Sequence, residues 1–364
     1  MADPIEALDA LLREAVEAHV FPAAAAEAGN AAGVLWSAAA GAHSFDPYAP
    51  AATRDTIFDL ASLTKVVATT TLAMRAVDDG RLTLDDSVGS WLREWRGDDR
   101  AGVTVGDLLT HSSGLAAYLP FFRDYTGREE FEHAICTLPL EYAPRTQSTY
   151  SDLGFILLGF ILEDAASRSS AGLPGTFDPA ASLSGQFQRA ASFVTTEPLA
   201  FNPPRKWRTR TAPTEVDRWR GRLLTGEVHD ENAWALGGAA GHAGLFGTAA
   251  ACGAFARAVL RTLAGERILA NPDTLRHVIR RSSVPGSSRA LGWDTMLPAS
   301  SCGTRMSPTA IGHTGFTGTS LWIDWERDFY VVLLSNRVHP SRENDLIRQF
   351  RPRFHDAVVT AFLP

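Results

Sequence analysis

At 364 residues the chain exceeds the usual single-domain size, and with 45% hydrophobic residues it has ample material for a packed core. A net charge of −7 argues against a nucleic-acid footprint, and no stretch is long and apolar enough to span a membrane. The three cysteines, Cys136, Cys252 and Cys302, are odd in number and widely spaced, which fits neither a disulfide framework nor a zinc site. Met1 to Glu6 has no basic n-region and no apolar h-region, so the expected location is the cytoplasm, or the periplasm if a leader has been removed.

Along the chain, Asp3 to Ala18 places Ile5, Leu8, Leu11, Leu12 and Val16 at helical spacing. The Ala-rich stretch Phe21 to Ala32 is interrupted by Pro22, Glu27 and Gly29, and Val34 to Gly41 reads as a strand. Ser62 to Asp79 is apolar around much of its circumference, as expected of a buried helix, and Gly80 ends it. Val103 to Leu109 opens a helix that stops at Ser112-Ser113-Gly114, and Leu153 to Ala166 reads as a third. Ser167 to Ala191 and Asn202 to Arg222 read as irregular cover, the second locked by stacked tryptophans and arginines. Thr248 to Leu263 is helical. Leu291 to Asp294, Thr319 to Asp324 and Phe329 to Ser335 read as strands, the last two as a hairpin, and Asp345 to Leu363 as a C-terminal helix. This order implies a discontinuous α/β domain (1–85 and 245–364) around an antiparallel sheet, an inserted helical domain (86–244), and a cleft between them.

The chemistry concentrates in Ser62-Leu63-Thr64-Lys65. Residues i and i+3 share a helix face, so the Lys65 amine can reach the Ser62 hydroxyl, and a serine is a weak nucleophile until a base takes its proton. Lys65 and Lys206 are the only lysines beside 32 arginines. Arginine stays protonated, whereas lysine can be tuned by burial, so a lysine retained here points to proton chemistry. Tyr150-Ser151-Asp152 precedes a helix on a loop able to point into a cleft, and His313-Thr314-Gly315-Phe316 opens a late strand.

In this order the three motifs resemble those of the serine β-lactamase and penicillin-binding protein superfamily. The chain looks most like the branch of class C β-lactamases, D-stereospecific peptidases and family VIII carboxylesterases. Gly226-Glu227-Val228-His229-Asp230-Glu231-Asn232-Ala233 and Gly237 to Phe246 resemble a subgroup with penicillin-binding-protein-4B-like hydrolases. The resemblance implies an α/β sandwich with an antiparallel sheet flanked by helices. It implies Ser62 as acyl-forming nucleophile, Lys65 as its base, and Tyr150 as the group passing a proton to the leaving group. It places the oxyanion hole at the N–H groups of Ser62 and Phe316, with Asp152, His313, Thr314 and Gly315 beside the substrate. It calls for no cofactor and no metal. His242, between Gly241 and Gly244, reads either as a loop residue lining the cleft or as a hydrogen-bonded loop histidine.

Two departures from the family pattern bear on function. His313 stands where lysine is common, replacing a fixed positive charge with a mostly neutral ring. Asp152 stands where asparagine is common, and an acid beside Lys65 raises the lysine pKa, which would leave Tyr150 ionised as an alternative base. His229-Asp230-Glu231-Asn232 lacks metal-ligand spacing and reads as a turn or cleft wall, while His111 reads as a helix-ending residue. The expected activity is a serine carboxylesterase on small ester or amide substrates. The alternatives are a D-Ala-D-Ala carboxypeptidase, D-amino peptidase or weak β-lactamase, and, in another class, a non-catalytic sensor or scaffold. The sequence leaves the oligomeric state open.

Overall fold

The computed structural model describes residues 3–169 and 178–363. Its frame is a six-stranded sheet of β1 (Ala23–Asn30), β2 (Gly33–Gly41), β3 (Asp294–Thr295), β4 (Ile311–Thr314), β5 (Ser320–Asp324) and β6 (Phe329–Ser335), in the spatial order β2-β1-β6-β5-β4-β3. Every neighbouring pair is antiparallel. The chain's two ends therefore meet in the middle of the sheet, with Ala26 opposite Leu333.

β1 is the Ala-rich stretch that the sequence left unassigned. Alternation explains it: Ala23 and Ala25 face a core shared with Val66, Val67 and Phe255. Ala24, Ala26 and Ala28 face a second core with Leu8, Leu12, Phe350 and Phe354. Alanine is a poor strand former by propensity, but a central strand pressed from both faces by helices selects for small residues. The second core is closed by the terminal helices Pro4–Glu17 and Ile347–Phe362. Asp3 caps the first of these by accepting the Ile5 N–H at 2.9 Å.

On the other face lies the helix Ala249–Leu263, capped by Thr248, and beyond it the segment that follows Ser62. This segment is not one regular α-helix as expected: Lys65–Thr70 forms a π-helical turn before Thr71–Asp78 resumes α geometry. Such turns are rare and recur at functional sites. Three further expectations change. Of Leu291–Asp294 only Asp294 is in a strand, the two-residue β3. His313 and Thr314 close strand β4 rather than opening one. Within Ser167–Ala191, read as irregular, Leu183–Ala191 is a helix capped by Ser182, and 170–177 lie outside the described residues. Asn202–Arg222 is largely irregular, with a 3-10 turn at Arg205–Arg210. Trp219 packs edge-on against both Phe122 and Trp234, and Arg220 anchors the segment through Asp217 and the carbonyls of Val228 and His229. Among the described residues no helix is long and apolar enough to cross a membrane.

Candidate active site

Ser62 sits where the short strand Phe58–Asp59 turns into the buried helical segment. The turn requires Ala61 at φ 48, a left-handed conformation uncommon for a residue with a side chain. Asp59 holds it: its buried carboxylate accepts the Ala61 N–H at 2.8 Å and the His229 N–H at 2.7 Å. Strained backbone fixed by surrounding bonds in this way is typical of sites where one atom must be aimed.

Lys65 is fully buried, and its Nζ is surrounded by oxygen. It donates to Asp152 Oδ1 at 2.7 Å and to the His242 carbonyl at 3.0 Å, and it lies 3.1 Å from Ser62 Oγ. Burial disfavours the ammonium form, but the Asp152 carboxylate, with help from Tyr150, outweighs it and the lysine pKa lies above its ordinary value. Tyr150 is also raised: burial dominates, while Lys65 and hydrogen bonds with Lys65 and Ser62 pull the other way. The resting site therefore pairs a lysine ammonium with a neutral phenol.

Tyr150 is held from below by His111, whose ring lies 4.7 Å from it and stacks on Phe155 at 5.0 Å. His111 Nδ1 accepts the Ser151 N–H at 3.0 Å, which fixes the backbone beside Tyr150. Burial and the nearby cations Arg289 and Lys65 push His111 well below the usual histidine range. It thus does more than end a helix. Its position next to Ser112-Ser113-Gly114 is the only sequence signal that marks it.

His313 is buried, with Nδ1 donating to the Thr314 carbonyl at 2.8 Å and Nε2 left without a partner. Burial first, then Arg289 and Lys65, push it well below the usual range. At neutral pH it offers a lone pair, not a positive charge. The N–H groups of Ser62 and Phe316 bond to no acceptor among the described residues, and both residues line the same cavity. Two unpaired N–H groups facing one space can receive an oxyanion.

That cavity is about 630 Å³ and is lined by Ser62, Tyr150, Asp152, His313, Thr314, Gly315 and Phe316, together with residues the motifs did not mark. His242, expected to line the cleft, does not: its ring is buried with Nε2 2.8 Å from Asp230 Oδ1, and only its carbonyl serves the site, through Lys65. His229, Asp230 and Glu231 do form a cleft wall. Among the described residues no group of three or more His, Cys, Asp or Glu side chains is arranged to hold a metal ion.

The unmarked residues include a set of arginines. Arg337, Arg348 and Arg351 line the cavity, and none makes an ion pair among the described residues. Arg351 is buried, donates to the Gly315 and Thr319 carbonyls at 2.7 and 3.0 Å, and has an unpartnered Nε. Burial and the neighbouring Arg337 and Arg348 bring it down to about 9, and Arg337 is likewise lowered to about 10. Nothing in the sequence separates these three from the other 29 arginines.

Comparison with known proteins identifies the family and the fold. The family model described as Beta-lactamase matches residues 8–351. A curated relative from Salmonella gallinarum, named "Putative D-alanyl-D-alanine carboxypeptidase", is 30% identical over 316 residues, covering 79% of this chain and 71% of its own. Solved structures share the fold at lower identity. A penicillin-binding protein homologue from Caulobacter crescentus has a TM-score of 0.76 at 17% identity, over 99% of this chain and 98% of its own. The hydrolase EstCE1, described as having promiscuous acyltransferase activity, has a TM-score of 0.74 at 19% identity, over 98% of each chain. Simvastatin synthase from Aspergillus terreus has a TM-score of 0.72 at 20% identity, over 100% of this chain and 99% of its own. The chain belongs to the beta-lactamase family and is a serine hydrolase.

Proposed function

We propose that this member of the beta-lactamase family hydrolyses a short peptide or depsipeptide ending in a carboxylate, through an acyl-enzyme on Ser62. The observation that carries the reading is the set of guanidinium groups without carboxylate partners in the cavity that holds Ser62. Buried like charges cost free energy, and a substrate anion offsets that cost on binding. The carboxypeptidase name borne by the Salmonella relative points the same way.

In this reading Tyr150 first gives its phenol proton to solvent, the phenolate being held by the Lys65 ammonium, and Ser62 Oγ then attacks the substrate carbonyl while its proton passes to that phenolate. The carbonyl oxygen gains negative charge opposite the N–H groups of Ser62 and Phe316. As the tetrahedral species collapses, the Tyr150 proton moves to the leaving nitrogen or oxygen, the scissile bond breaks, and the acyl group remains on Ser62. Lys65, held as an ammonium by Asp152, stabilises the serine and phenol oxygens as they lose protons. Water then repeats the sequence, giving one proton to Ser62 and hydroxide to the acyl carbon.

A second reading, a carboxylesterase on small neutral esters, is favoured by His313, which supplies no cation in the third motif. Two assays separate them: D-alanine release from an acyl-D-Ala-D-Ala peptide, and hydrolysis of p-nitrophenyl butyrate, each with wild type and Ser62→Ala. The peptide reading expects kcat/KM for the carboxylate-bearing substrate to be the larger. Turnover of the ester alone would overturn it in favour of the esterase. Activity that survives in Ser62→Ala would overturn both.

A further inference from the structure

The Phe316 N–H belongs to a residue whose side chain is half exposed, on a tight turn where Gly315 donates to Thr319 and Gly318 to Gly315. A donor on an exposed turn needs bracing if it is to meet a developing charge at a fixed distance. The structure supplies two braces from distant parts of the chain. The His229 ring stacks on the Phe316 ring at 5.6 Å and 27°. The Arg337 guanidinium lies 4.4 Å from the centre of the same ring, and its Nε donates to the Phe316 carbonyl at 2.8 Å.

Each brace is itself anchored. Arg337 Nη1 donates to the carbonyls of Arg342 and Asn344 at 2.9 and 2.6 Å. His229 Nε2 lies 2.8 Å from Glu215 Oε2, which also accepts from Arg342 Nε at 2.7 Å. The His229 N–H bonds to Asp59, the carboxylate that also fixes the turn into Ser62. The Asp59 carbonyl accepts from Thr317 Oγ1 at 2.7 Å, and the Leu60 carbonyl accepts from Thr319 Oγ1 at 3.0 Å. One network therefore ties the turn carrying the first N–H to the turn carrying the second.

We propose that His229 and Arg337 are positioning residues for the oxyanion hole: His229 by stacking on the Phe316 ring, Arg337 by holding its carbonyl and ring. The inference rests on the serine acyl-transfer reading above and gives the Val228-His229-Asp230-Glu231 segment a role in the reaction. Its chemistry is indirect, since neither side chain is required to exchange a proton or touch the reacting atoms.

The test uses p-nitrophenyl butyrate turnover together with inhibition by phenylboronic acid, whose tetrahedral adduct on a serine oxygen places a boron-bound oxygen in an oxyanion hole. Deleting one such donor costs about 10² to 10³ in kcat, and displacing one costs up to about 10². His229→Ala and Arg337→Met are expected to lower kcat about 10- to 100-fold, to leave KM within about 3-fold, and to weaken phenylboronate in proportion to the loss in kcat. His229→Phe, which keeps a ring and loses the Glu215 contact, is expected to recover most of both losses. Arg337→Lys, which keeps the charge and loses the planar fork, is expected to recover little. Thermal melting confirms that each variant is folded. Unchanged kcat and boronate affinity in folded His229→Ala or Arg337→Met would overturn the proposal, as would a His229→Ala defect that phenylalanine leaves in place. If the wild type lost no activity on Ser62→Ala substitution, the serine reading would fail instead.

Discussion

Lys65 and the arginine wall put positive charge on the same cavity in opposite ways. The Lys65 ammonium is closed: Asp152, the His242 carbonyl and Ser62 Oγ surround it, and its pKa rises despite complete burial. Arg337 and Arg351 are open: they bond to carbonyls, face no bonded carboxylate, and their pKa values fall. The difference separates charge that belongs to the reaction from charge that waits for a ligand. A cation that must act on every turnover is neutralised internally, whereas a recognition cation is left for the substrate to complete.

The largest effect should come from removing what the closed cation serves. Ser62→Ala is expected to abolish turnover to below about 10⁻³ of wild type, with no acyl adduct in the intact mass. Asp152→Asn opens the closed cation. Without the carboxylate, burial wins and the Lys65 pKa falls. Because the ammonium is the working form in the proposed mechanism, the alkaline limb of the kcat/KM profile should move to lower pH. An alkaline limb that moves up, or activity that improves at high pH, would show that the neutral amine is the working form.

The open cations should respond to the substrate's charge. Arg351→Gln is expected to cut kcat/KM for the D-Ala-D-Ala peptide about 10- to 100-fold more than for p-nitrophenyl butyrate, the range of a hydrogen bond to a charged group, since the loss of its bonds to the Gly315 and Thr319 carbonyls falls on both substrates alike. Arg348 is exposed, so Arg348→Gln should show the same preference at only about 2- to 5-fold, as expected of a screened surface charge. Equal losses on the two substrates would remove the distinction between the two kinds of cation.

The smallest effect concerns a third arrangement, the closed pair on the cleft wall. Burial opposes it, but His229 and Arg342 hold the Glu215 carboxyl down to about 2 from an ordinary value of 4.5. A carboxyl depressed in the folded state stabilises the protein above its unfolded pKa and loses that contribution as pH falls through the folded one. Melting temperature should therefore decline between about pH 4.5 and pH 2, and less steeply in Glu215→Gln.

Sequence legibility followed chemistry more closely than geometry. Ser62, Lys65 and Tyr150 were legible because each belongs to a short motif whose residue types have few other uses in that order. The hairpin of β5 and β6 was legible from its apolar runs. β1 was not, because alanine carries almost no periodic signal and its strand character comes from helices packed on both faces. The helix Leu183–Ala191 was hidden for a related reason, its Ser, Gly and Ala content reading as loop. Asp152 could be placed beside Lys65 only through the family likeness, since 87 positions separate them. Arg337 and Arg351 were illegible outright: in a chain with 32 arginines, what distinguishes them is that they line the cavity of Ser62 with no carboxylate bonded to them, a property of space and not of spacing.

The alternation of β1 makes that strand a thin partition between two layers. Ala25 touches the layer that carries Val66 and Val67 behind Ser62, while Ala24 and Ala26 touch the layer built by the terminal helices. A single added methyl group can therefore be addressed to one layer or the other by moving one position along the chain. Ala25→Val presses towards the nucleophile and Ala26→Val presses away from it, so the strand works as a two-sided gauge of which layer yields.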